Sequence, residues 1–200
     1  MFIICRSGTL SSSDNYDIMK VTQMKLLMGL IISSALLLAC SSTVKAPASV
    51  TNKPFPTVQG SSLDKTAVII PDSYLGKTTL LLIGYEQKAQ FDIDRWILGL
   101  LQADVPVQIV EVPTIAGMVP QMVQQFIDNG MRSGIPKQDW ASVVTVYEDA
   151  SKIIAALGNE RPRSAYAVLL DKAGQIVWSA NQGYSAQQVL DLKQIVSGLK

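Results

Sequence analysis

Histidine is absent from all 200 residues, and cysteine occurs twice, at Cys5 and Cys40. The first absence removes the usual general base, the commonest metal ligand and any Ser-His or Cys-His nucleophile pair. The second leaves everything after Cys40 without a thiol, so that part of the chain makes no disulfide and offers no sulfur nucleophile. Neither sign of charge is in excess, with 17 basic residues against 16 acidic ones. That balance gives no electrostatic footprint for nucleic acid, and no nucleic-acid partner is expected. No metal and no cofactor are expected either.

Long apolar runs are also lacking. The run from Leu26 to Ala39 falls short of the roughly 18 residues of a membrane span but has the length of a secretory signal core. Lys25 supplies its positive flank, and Met24 is its natural start. Residues 1–23 fit no part of such a signal, because apolar Phe2, Ile3 and Ile4 give way to the polar, turn-like Ser11 to Asn15. They are read as an upstream extension. The run ends Leu37-Leu38-Ala39-Cys40, which resembles the lipobox of bacterial lipoproteins. That resemblance implies a signal peptide over 24–39, cleavage before Cys40, a diacylglyceryl group on its sulfur and a fatty acyl chain such as palmitate on the new amino terminus. The implied location is the cell envelope, with the membrane as one partner. Ser41, where inner-membrane lipoproteins of enteric bacteria carry aspartate, implies the outer membrane facing the periplasm in a Gram-negative host.

Removing residues 1–39 takes away Arg6, Lys20, Lys25, Asp14 and Asp17, which leaves 14 charged residues of each sign. Residues 40–65 are rich in Ser, Thr, Pro and Lys, with Pro47, Pro54 and Pro56, and are expected to form a lipidated flexible tether. The remaining residues 66–200 suit one domain of ordinary size.

Within that domain Val68-Ile69-Ile70 reads as a short strand ended by Pro71-Asp72. Thr78 to Gly84 is a continuous apolar run of strand length, the pattern of a strand covered on both faces. Ile93, Trp96, Ile97, Leu100 and Leu101 then recur at helical spacing. Val105 to Val112 gives another strand, and Val119, Met122, Val123, Phe126 and Ile127 another helix with an apolar face. Trp96 and Phe126 are expected to pack in the core. Val143 to Tyr147 reads as a strand, and Asp149 as the cap of a short helix ended by Gly158. Tyr166 to Leu170 and Gln175 to Trp178 form a hairpin around Asp171 to Gly174, and a terminal helix carries Val189, Leu192, Ile195, Val196 and Leu199.

This order, with Leu75-Gly76-Lys77 before the apolar strand and Asp171-x-x-Gly174-x-Ile176 in the hairpin, resembles the redoxins and larger peroxiredoxins. The implied fold is α/β and thioredoxin-like, with three layers, a central mixed sheet, a C-terminal β-hairpin and a terminal helix. A narrower likeness, carried by Tyr166-x-x-Leu169-Leu170-Asp171-x-x-Gly174-x-Ile176-x-Trp178 and by Ile135-Pro136 before Trp140, is to the mitochondrial ATP-synthase assembly-factor family. That family has a redoxin-like domain without the redox pair.

Redoxins place their reactive cysteine just after the first core strand, where helix N-H groups lower the thiol pKa. Here that stretch is Tyr85-Glu86-Gln87-Lys88-Ala89-Gln90 and contains no cysteine. The cis-proline that faces the thiol falls at Ala165, and Arg163 is displaced from the peroxiredoxin arginine. The resemblance therefore implies a redox-inactive binding or assembly protein. Its candidate contacts with an envelope protein client are Glu86, Gln87, Lys88, Gln90 and the hairpin Trp178. The alternative is a non-thiol enzyme, a hydrolase or carboxylate-based catalyst using Glu86, Lys88 or Asp94. Three local motifs have plainer readings. Pro71 to Thr78 imitates a phosphate loop but enters a strand, Asp92-x-Asp94 lacks the further calcium ligands, and Ser62-Leu63-Asp64-Lys65 lies in the expected tether without companion motifs.

Overall fold

A computed structural model of the chain describes residues 49–199. Cys40 and the signal segment lie outside them. The expected thioredoxin-like architecture is present. Its main sheet has the strand order β1-β8-β7-β4-β5, comprising β1 (Lys53–Pro54), β4 (Thr79–Gly84), β5 (Gln108–Pro113), β7 (Tyr166–Leu170) and β8 (Gln175–Ala180). β4 and β5 run parallel, and the other neighbours are antiparallel. β4 is buried along its whole length because each of its faces meets a separate core. Leu81 and Ile83 face one side with Val110, Val112, Val168 and Leu170, and Leu80 and Leu82 face the other with Ala167 and Leu169.

The second face is covered by α1 (Gln90–Gln102) and α4 (Ala186–Gly198), which lie against each other. Ile93, Trp96 and Leu100 come from α1, and Val189, Leu192 and Val196 from α4. Leu101, expected on the same apolar face, is exposed. The first face is covered by α3 (Ala150–Leu157) and by a small antiparallel sheet of β3 (Ala67–Ile70), β2 (Val58–Ser62) and β6 (Val144–Thr145). The remaining helix, α2 (Gln121–Gly134), follows β5.

Four further expectations need correction. Residues 53–62 are not tether but two strands, because Phe55, Val58 and Leu63 are spaced so that each reaches the core from an otherwise polar segment. β1 carries Pro54 at the edge of the sheet, where a missing N-H is tolerated. Asp64 closes the β2-β3 hairpin by accepting from the Ser62 hydroxyl and the Thr66 N-H, so the Ser-x-x-Lys sequence is a turn. Asp149 begins α3 without capping it. Its carboxylate instead accepts from Gln59 N-H at 2.9 Å and pairs with Lys152 at 2.9 Å. Phe126 is not a core residue: it is 80% exposed, and α2 buries none of its side chains. The expected strand over 143–147 shrinks to β6, with single parallel bridges from Val143 to Glu111 and from Val146 to Thr114.

Candidate functional site

The end of the sheet at which β4 stops and α1 begins is where redoxins hold their thiol. Register fixes which end that is. Ile83 of β4 opposes Tyr166 at the start of β7, whereas Thr79 opposes Leu170 beside the hairpin turn. The hairpin turn is therefore at the other end. There Asp171 accepts from Ala173 N-H and Gln175 N-H, and Gly174 adopts φ +77 with no room for a Cβ against Pro71.

At the β4 terminus the chain turns through Tyr85 and Glu86 into a short 3-10 turn over Gln87–Ala89 and then α1. Tyr85 lies edge-on to Tyr166 with ring centroids 5.0 Å apart. Its hydroxyl is buried with no hydrogen-bond partner among the described residues, and burial raises its pKa. Glu86, Gln87 and Lys88 are exposed. Arg163 reaches Glu86 at 3.5 Å, an open ion pair worth at most about 1 kcal/mol.

Asp92, in the first turn of α1, is the clasp of this end. It accepts from Ala165 N-H at 2.8 Å and from Tyr184 N-H at 2.9 Å, which ties α1 both to the start of β7 and to the loop after β8. Ala165 stands at the cis-proline position of the resemblance, and proline would have no N-H to give. A redoxin-type proline at this position would thus remove one of the two bonds of the clasp.

Behind the loop lies a buried carboxylate. Glu111 of β5 is 7% exposed, one of its oxygens has no partner among the described residues, and the Gln90 amide interacts with its carboxyl. Burial pushes its pKa up to about 7; the Gln90 interaction opposes that rise and the Asp94 charge adds to it. Gln90 also donates to Asp94 at 3.0 Å.

The candidate residues therefore divide. Glu86, Gln87 and Lys88 share one exposed loop. Gln90 is half-buried and committed to Asp94 and Glu111, and Trp178 sits mid-strand in β8, half-buried, with its ring 6.1 Å from Trp96 under α1. Three residues with roles at this end were not assigned them from sequence. Glu111 was visible as the lone charge in an apolar strand, whereas Arg163 and Asp92 reach their partners over long sequence separations. Among the described residues no group of three or more acidic, histidine or cysteine side chains is placed to hold a metal ion. No helix among them is long and apolar enough to cross a membrane.

Solved structures show the same fold. Thiol peroxidase from Chromobacterium violaceum aligns with a TM-score of 0.51 at 12% identity, covering 78% of this chain and 93% of its own. A SCO1/SenC family lipoprotein from Bacillus anthracis aligns with a TM-score of 0.50 at 11% identity, covering 74% and 95%. BsSco, a member of the Sco family of cytochrome c oxidase assembly proteins, aligns with a TM-score of 0.50 at 14% identity, covering 80% and 100%. At such identities the likeness establishes the thioredoxin-like fold alone. No curated protein matches the sequence. The sequence profile of the ATP10 protein family, by contrast, matches residues 37–199, which include the hairpin motif from Tyr166 to Trp178. This chain therefore belongs to the ATP10 protein family.

Proposed function

We propose that the chain is a lipid-anchored assembly factor of the cell envelope, whose thioredoxin-like domain holds a protein client without thiol chemistry. The observation that carries this reading is the rebuilt end of the sheet. The redoxin cysteine position lies in a cysteine-free loop, the Ala165 N-H is taken by Asp92, and Glu86, Gln87 and Lys88 stay open to solvent beside Arg163. Membership of the ATP10 protein family supports an assembly role, and the lipobox likeness at Cys40 supports the anchor. Exposed side chains of both signs on a fixed loop suit recognition of a polar protein surface, where charges set orientation and partner choice.

The test is affinity capture from detergent-solubilised membranes with the lipidated chain and a double variant, Glu86→Lys with Lys88→Glu. The native chain should retain a client that the variant loses. Both should unfold at nearly the same temperature, because exposed substitutions shift stability by only about 0.5 kcal/mol. Insulin reduction or peroxide consumption that follows the purified protein would overturn the reading.

A further inference from the structure

From Val112 to Ile127 the chain carries no charged residue, yet most of this segment lies on the surface. Met118, Met122, Val123 and Phe126 are 103%, 81%, 44% and 80% exposed. The charges of α2 come later and point back to the domain. Asp128 accepts from the Tyr147 hydroxyl at 2.8 Å, and Arg132 donates to the Leu63 carbonyl at 2.6 Å and lies over the Trp140 ring at 5.9 Å. Water would select the reverse, with apolar residues inward and charges outward. The exposed Phe91 and Leu98 of α1 differ, because exposed Asp94 and Arg95 lie between them.

We propose that this face, Met118 with Met122, Val123 and Phe126 of α2, rests in the interfacial layer of the bilayer that carries the anchor. The proposal rests on Cys40 being lipidated. Two observations select lipid as the occupant. First, eight residues separate Cys40 from Ser49, the first described residue, and such a segment spans at most about 30 Å. The folded domain begins earlier than the sequence suggests, and this shortens the tether, so an apolar phase is always within reach. Second, the outward neighbours of Met122 and Phe126 are uncharged Gln121, Gln125 and Asn129. No charged side chain therefore has to be desolvated when this face enters the interfacial layer. A strongly one-sided apolar face and low overall hydrophobicity are features of interfacial helices, and α2 has both.

The absence of other thiols makes the test clean. Mature lipidated chains carrying Met122→Cys or Phe126→Cys are labelled with an environment-sensitive fluorophore and reconstituted in vesicles of phosphatidylethanolamine and phosphatidylglycerol. Leu190→Cys, at an exposed position of α4, is the reference. Probes at 122 and 126 should shift to shorter wavelength and lose most of their emission to spin-labelled lipid, and the probe at 190 should do neither. Equal, water-like emission at all three positions overturns the proposal. Cross-linking between two Met122→Cys chains in place of lipid quenching overturns it in favour of a second copy. Shielding that appears only when a captured client is present overturns it in favour of a protein. Mass spectrometry of the same samples reads Cys40 separately. Should Cys40 prove unmodified, the anchor reading fails, and unlipidated chains carrying Cys5→Ser and Cys40→Ser, in which the introduced cysteine is the lone thiol, are added to the same vesicles. Quenching at 122 and 126 then still supports the face, and its absence overturns it.

Discussion

Glu111 and Asp92 are carboxylates near the end of the sheet where β4 stops, and each gives a measurable consequence. The Glu111 carboxyl keeps its proton up to about pH 7 in the folded chain against an ordinary value of 4.5. Between those values the folded state binds a proton that the unfolded state has released, so stability falls as pH rises through this window and levels off above it. The loss is on the order of 3 kcal/mol. Glu111→Gln should flatten that slope and be the more stable protein at pH 8, as read from urea midpoints at pH 5 and pH 8. Asp92→Ala should destabilise by about 2–4 kcal/mol, because it strands the N-H groups of Ala165 and Tyr184 at a site where Ala165 is fully buried. Asp92→Asn, which keeps one acceptor, should recover about half in the same thermal melts. Neither role was assigned from sequence. Glu111 stands out in its strand but gives no hint of Gln90, and Asp92 has its partners more than seventy residues away.

Elements with strong periodicity were legible, and those built from a few scattered contacts were not. The continuous run of β4, the hairpin around Gly174 and the apolar stripes of α1 and α4 all announce themselves through spacing. β1 and β2 did not, because their few apolar residues sit among Pro, Ser and Thr and their pairing partners are far along the chain or across a tight turn. α2 shows the limit of periodicity most clearly. Its apolar stripe correctly indicates a helix, but a stripe does not say what it faces. Packing therefore predicts opposite outcomes for two aromatic residues. Trp178→Ala removes a ring that meets Trp96 and should cost about 3 kcal/mol in a chemical denaturation series, less if the half-exposed site collapses. Phe126→Ser, on the open face of α2, should leave the midpoint almost unmoved. As a probe of client binding Trp178 is accordingly poor, since its removal disturbs the core under α1.

As a whole the molecule is a thioredoxin-like domain that keeps the architecture of redox enzymes while its thiol position carries other residues. The fold class and the cysteine-free loop were both readable in the sequence, the first from element order and the second from composition. What sequence could not convey is that Gln90 is half-buried at the start of α1 and bonded to Asp94 while Glu86, Gln87 and Lys88 remain exposed on the turn before it. The contact proposed for the client is the exposed loop of Glu86, Gln87 and Lys88. The direct test is site-specific photo-cross-linking in native membranes, with a photoreactive amino acid placed at position 87 of the lipidated chain and a matched chain carrying it at position 172 on the opposite end. The account predicts a discrete cross-linked product from position 87, lost when Glu86 and Lys88 are charge-reversed, and none from position 172. A client captured from position 172 alone would contradict it.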